Sequence, residues 1–184
     1  MYEAGRYPEC VAWMRRAEPL IGADTPELVQ ARFQFGLAMV GLHGGVEGAE
    51  RLRLLDAALA ILERHPPSMV LVYALCMRGY VAGICGDLAL ARRTLDRVHA
   101  LTQPAPFAPL RGLPLYIEGM VRRFEGRSHD ALAAYTEALP YVRRHGDGRT
   151  LFYLQSNMAA VHHEMGHLDE AVDQYRRAIL ALED

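Results

Sequence analysis

Lysine is missing from all 184 residues, so the 20 basic side chains are arginines and no site can use a lysine nucleophile or Schiff base. Serine occurs only at Ser68, Ser128 and Ser156, none of them in G-x-S-x-G, the turn that exposes a nucleophilic serine. The cysteines are three, Cys10, Cys76 and Cys85. An odd number on apolar helical stretches is a poor disulfide framework and reads as free thiols in a reducing compartment. Charge of neither sign dominates: 20 basic against 22 acidic side chains exert no strong pull on nucleic acid or anionic lipid. No basic-then-apolar leader opens the chain, and the longest apolar run, residues 69–77, is too short to cross a bilayer. No G-x-x-x-x-G-K-[ST] loop is present, and no strand precedes the glycines at 41, 44, 45 and 48. The expectation is a cytoplasmic chain with no cofactor, no membrane contact and no nucleic acid bound directly by this segment.

What the chain does have is a period. Gly86, Gly126 and Gly166 stand 40 residues apart, and each is followed five places later by an alanine, Ala91, Ala131 or Ala171. Seven places before each glycine stands a small residue, Gly79, Gly119 or Ala159. After it, a bulky residue recurs at Leu95, Tyr135 and Tyr175, followed three places on by Val98, Ala138 and Ala178. A glycine past the last turn of a helix allows the left-handed conformation that stops it. Small residues at matched places let two helices approach. Each period therefore reads as a helical hairpin, and a fixed period of this size indicates a solenoid in which each repeat packs on its neighbours.

Taken in order, residues 1–25 form a partial first repeat, and residues 8–21 a helix whose partner is missing. Helix pairs follow at 26–67, 68–103, 109–145 and 149–184, all within one solenoid domain spanning 1–184 and belonging to a longer protein. Asp24-Thr25-Pro26 is expected to cap and start a helix, with Gly36 in the small-residue place and Ala58 opposite it. That spacing exceeds the later copies by three residues, so the turn near His43-Gly44-Gly45 should be looser. Residues 69–85 are the most apolar helix, with Arg78 its only charge, and 102–114, with four prolines, the longest irregular link.

The small residue in the first helix, the glycine turn and the alanines flanking a tyrosine, clearest from Met158-Ala159 through Gly166, Ala171, Tyr175 and Ala178, resemble the tetratricopeptide repeat. The family's period is about 34 residues. The longer period and phrases such as YVRRHGDGRTLFYLQSNMAAVHHEMGHLDEA are similar to arrays in large bacterial regulators of the maltose-regulon-activator and antibiotic-regulatory kinds. The resemblance implies an all-α superhelix whose first helices line a concave face, and a non-enzymatic sensor or docking module for a protein or peptide. By helical spacing the groove should carry Phe33, Leu37, Tyr73, Tyr80, Tyr116, Met120, Arg123, Tyr153 and His163, with Ser156 and Ala160 on the same stripe as Tyr153. Without lysine, and with Asn157 as the single asparagine, a carboxylate clamp of the chaperone-tail kind is not expected.

Two other readings stand beside it. The unpaired first helix, from Tyr2 to Trp13, could join a second copy of the chain, or the tyrosines could stack on a small, sugar-like molecule. His163-Glu164-Met165-Gly166-His167 matches H-E-x-x-H, but that zinc chemistry needs one unbroken helix to bring both imidazoles to the metal. Gly166 is the repeat's helix stop, so no metal site and no catalytic residue are expected. The arginine pairs at 15–16, 92–93, 122–123, 143–144 and 176–177 read as solvated surface.

Overall fold

The computed structural model describes residues 6–146 and 148–182, which contain nine α-helices and no strand. They divide into two compact units, residues 1–87 and 88–184. No helix among the described residues is long and apolar enough to cross a membrane.

The first unit holds α1 (Tyr7–Ala17), α2 (Glu27–Gly44), α3 (Gly48–Leu62) and α4 (Met69–Ile84). Packing runs in chain order, each helix against the next, with α4 also meeting α2. Leu37, Ala38, Leu55, Val72 and Val81 are wholly buried between them. The expected side-chain cap at Asp24-Thr25 is not formed; instead the Gln30 Nε2 group donates to the carbonyls of Thr25, at 2.7 Å, and Gly22, at 3.3 Å, and Pro26 opens α2. Ser68 does cap its helix: its Oγ accepts from the Leu71 amide at 3.3 Å.

The turn glycines take the conformation their period implies. Gly86, Gly126 and Gly166 have φ of 82°, 74° and 79°, a region that costs an L side chain strain. Gly45 joins them at 84°. This changes the register expected for the first full pair. Seven places before Gly45 stands Ala38, which is fully buried and not Gly36, so the small residue against α3 is Ala38. Gly36 faces α1, where an added Cβ would lie 3.4 Å from Met14 Cε. The α2–α3 turn is therefore longer than the others by one residue, Glu47, since Val46 keeps the place of Asp87, Arg127 and His167 and donates its amide to the Gly41 carbonyl at 3.1 Å as they do to Ala82, Arg122 and His162.

α1 packs along α2, with Met14 at Gly36 and its first turn against Gly44, where any Cβ would overlap Val11 and the Tyr7 carbonyl. None of its residues is fully buried. Trp13 is 65% exposed, with the Arg16 guanidinium 4.7 Å from its ring centre. The expected self-association segment began at Tyr2, and residues 2–5 lie outside the described residues.

The second unit holds α5 (Leu88–Thr102), α6 (Gly112–Phe124), α7 (Ser128–His145), α8 (Gly148–Glu164) and α9 (Leu168–Leu180). The proline-rich link expected to be irregular is a 3-10 helix, Ala105–Arg111, tied down by Arg111, whose Nε donates to the Thr102 carbonyl and Nη2 to that of Gln103, both at 3.2 Å. Pro114 falls in the first turn of α6, where a missing amide hydrogen is no loss. Gly119 exists to receive Tyr135: a Cβ on it would come within 3.0 Å of three ring atoms. Tyr135 is the largest fully buried side chain among the described residues, and its ring centre lies 6.0 Å from that of Tyr116.

One buried group works against the fold. Gln155 is 3% exposed and its Oε1 has no hydrogen-bond partner among the described residues. Two and one periods earlier the same place holds Leu75 and Leu115. An orphaned buried polar group costs about 1–3 kcal/mol. Gln155→Leu is accordingly expected to stabilise the α8/α9 pair by about 1 kcal/mol or more, read as a higher urea midpoint; a lower midpoint would show that the amide is satisfied.

Candidate functional site

First helices of successive pairs stand side by side within each unit. In the first unit these are α2 and α4. Phe33 and Tyr80 are half-buried there, Tyr73 is exposed, and Leu37 is fully buried. Leu37 is thus a core residue with no surface for a ligand, because the neighbouring place on the stripe, Ala38, turns towards α3. Tyr80 and Met77 lie against the Ala38–Leu55–Val81 cluster, so Tyr80 is held as much by packing as by solvent.

In the second unit the facing helices are α6 and α8, and they are joined by polar groups. The Asn157 Nδ2 group donates to the Tyr116 hydroxyl at 2.9 Å and to the Tyr153 carbonyl at 2.8 Å. Arg123 reaches over from α6: its Nε donates to both Glu164 oxygens at 3.1 Å, its Nη2 pairs with Glu164, and its Nη1 stands 3.5 Å from Asn157 Oδ1. Tyr116, Asn157, Arg123 and Glu164 thus form one seam along an accessible face, with Tyr153, 39% exposed, at one end. Met120, expected on the same face, is buried beneath it. His163 is exposed and makes none of the cross-helix bonds. The stripe expected on α8 is rotated by one residue: Asn157 and Glu164 take the places assigned to Ser156 and His163.

The electrostatics follow the geometry. The Arg123 hydrogen bond holds the Glu164 carboxyl below its ordinary 4.5, and the same pairing raises the arginine. One cleft away, between α5 and α6, Glu118 is also held below 4.5, chiefly by its hydrogen bond with His99 at 2.8 Å and then by Arg122. Arg92 pairs with Glu125 on the same side. The Glu118–His99 and Arg92–Glu125 contacts tie α5 to α6. Both carboxyls titrate lower in the folded state than in the unfolded chain, so their stabilisation is full above 4.5 and is lost as the pH falls through their folded values. The urea midpoint should therefore fall on going from neutral pH to about pH 3, and Glu118→Gln should flatten that fall. An unchanged pH profile in Glu118→Gln would show that the pairing is absent in solution.

H-E-x-x-H does not come together as a metal site. α8 ends at Glu164, Gly166 turns left-handed, and His167 caps α9 outside the axis of α8, with Glu164 engaged by Arg123. No group of three or more His, Cys, Asp or Glu among the described residues could hold a metal ion.

Known proteins place this geometry in context. Residues 153–177 match the tetratricopeptide repeat family model. No curated protein sequence matches the chain significantly. Among solved structures, a Rap protein complexed with Competence and Sporulation Factor is similar over 98% of this chain and 50% of its own, with a TM-score of 0.85 at 16% identity. Aspartyl phosphate phosphatase F from Bacillus subtilis is similar over 100% of this chain and 48% of its own, with a TM-score of 0.76 at 15% identity. PlcR from Bacillus thuringiensis, in complex with the peptide PapR7 and DNA, is similar over 98% of this chain and 65% of its own, with a TM-score of 0.73 at 13% identity. The chain thus spans about half the length of the first two. The fold is that of a tetratricopeptide-type helical solenoid.

Proposed function

We propose that this tetratricopeptide-type array is a non-enzymatic docking module that takes an extended peptide on the α6/α8 face, and that it serves as the sensing segment of a bacterial transcriptional or signalling regulator. The observation that carries the reading is the Tyr116–Asn157–Arg123–Glu164 seam. It offers an amide, a hydroxyl and a guanidinium at one accessible face, with Tyr153 beside them, and an extended backbone needs donors and acceptors at that kind of spacing. Tyrosine and arginine are also the residues that anchor peptide interfaces. The peptide bound to the similar PlcR structure supports the class of ligand. A ligand reaches Arg123 by taking the place of Glu164, and Asn157 turns from Tyr116 to the peptide backbone.

The test is a random heptapeptide phage library panned on the purified chain. Enriched peptides should bind the wild type, and Asn157→Ala should weaken them about tenfold, the value of one hydrogen bond at the upper end of its range. Arg123→Ala should weaken them by more, since bonds to a charged group contribute about 1.5–3 kcal/mol. Enriched peptides indifferent to both changes would place docking elsewhere, and a library that enriches nothing would sink the reading.

A further inference from the structure

The Arg123–Glu164 pair is not built into the repeat: one period earlier the same two places hold Gly83 and Phe124. Phe124 is 42% exposed, so the place that Glu164 takes lies outside the core of its pair, and packing calls for no carboxylate there. Nor does α8 gain from one. Glu164 is its last residue, at the negative end of the helix dipole, where a cation is the favoured charge. Arg123, in the last turn of α6, does stand where a cation belongs. Of the two partners, the guanidinium suits its place and the carboxylate does not.

The geometry is that of a guanidinium taking a carboxylate side-on. Nε donates to both Glu164 oxygens at 3.1 Å and Nη2 pairs with the same group. Nη1 stands 3.5 Å from Asn157 Oδ1, and Asn157 donates in turn to the Tyr116 hydroxyl. Arg123 is thus steadied on one side by the seam and turns its other two nitrogens to a carboxylate. That fork matches two charged oxygens, whereas an amide or hydroxyl brings one acceptor atom and no charge. A neutral ligand therefore gains nothing by displacing Glu164. A carboxylate exchanges one such pairing for another, and Glu164, at the end of its helix, leaves by rotation of its own side chain.

We infer that Glu164 is an internal stand-in for a ligand carboxylate: it occupies Arg123 until the carboxylate of an acidic peptide replaces it, and it thereby excludes neutral peptides and limits the affinity for acidic ones. This selectivity rests on the reading of the α6/α8 face as a peptide site. It names the group that meets Arg123, supplied by an Asp or Glu side chain or by a C-terminus.

Three synthetic heptapeptide mixtures, with no other acidic residue, test it. One carries glutamate at its central place and an amidated end, one glutamine and an amidated end, and one glutamine and a free C-terminal carboxylate. Retention on the immobilised chain is measured for each, with circular dichroism as the check on folding. Wild type should retain an acidic mixture above the neutral one, and which acidic mixture that is identifies the source of the carboxylate. Glu164→Gln should raise its retention about fivefold, the value of an exposed ion pair at the upper end of its range, and leave the neutral mixture unchanged. Arg123→Ala should erase the difference between acidic and neutral mixtures. Acidic retention that falls in Glu164→Gln would show that Glu164 positions Arg123 for the ligand, and unchanged retention that it does not compete. Either result overturns the inference, while the peptide reading stands if Asn157→Ala still weakens all three mixtures. If no mixture is retained, or if Asn157→Ala and Arg123→Ala alter none, both fall together.

Discussion

Gly119→Val is expected to break the α6/α7 pair. Gly119 lies under the Tyr135 ring so closely that even a methyl group would come within 3.0 Å of three ring atoms, and the ring has nowhere to go because it is fully buried. α6 must then lift from α7, uncovering Leu115, Met120 and Val142 together. Overpacking of this kind costs about 3 kcal/mol or more, a large part of the stability of a small domain. The expected result is a large fall in the urea midpoint, with hydrogen-exchange protection lost first in residues 112–145. Gly119→Ala combined with Tyr135→Leu should recover most of it, because leucine already holds that place at Leu95. A Gly119→Val chain as stable as wild type would mean that the ring does not lie on the glycine.

The same contact shows why much of this fold could be read from the sequence. A left-handed turn admits glycine almost alone, and a ring lying on a helix admits only a small residue, so Gly86, Gly126, Gly166 and Gly119 were constrained to be visible. Side-chain direction is a weaker signal. A stripe on a helix is wide, and one residue of rotation moves it by about 100°, which is how Ser156 and His163 stood in for Asn157 and Glu164. The missed signal was a spacing: Tyr116 to Asn157 and Arg123 to Glu164 are both 41 residues, one beyond the period. Burial of Leu37 and Met120 was hidden for the same reason, since apolar residues at the edge of a stripe serve core and groove alike.

The register of the first full pair was obscured by two linked departures. Aligning Ala58 with Ala138 and Ala178 sets Arg51 where the other copies have Ala91, Ala131 and Ala171. Those alanines are at most 3% exposed, and Arg51, at 4%, is buried almost as deeply. Its Nε donates to the Ala38 carbonyl at 3.1 Å and its Nη2 points at Met77 Sδ, 3.7 Å away on α4. Neither partner is a carboxylate, and burial pushes the guanidinium below its ordinary range. A long side chain thus fills a place that alanine holds in the other copies, and it follows a turn that is one residue longer, at Glu47. Arg51 then contributes volume more than charge, bridging α3 to both neighbours. Arg51→Met should therefore leave the urea midpoint within about 1 kcal/mol of wild type, since an apolar replacement of similar length keeps the packing and removes a buried unpaired charge. Arg51→Ala should cost about 2–5 kcal/mol, because the one-residue-longer turn prevents the helices from closing over the cavity. Arg51→Glu should cost at least as much, by setting a carboxylate against the Ala38 carbonyl. If methionine proved as damaging as alanine, the cation itself would be holding the three helices, and the ranking of these variants separates the two causes.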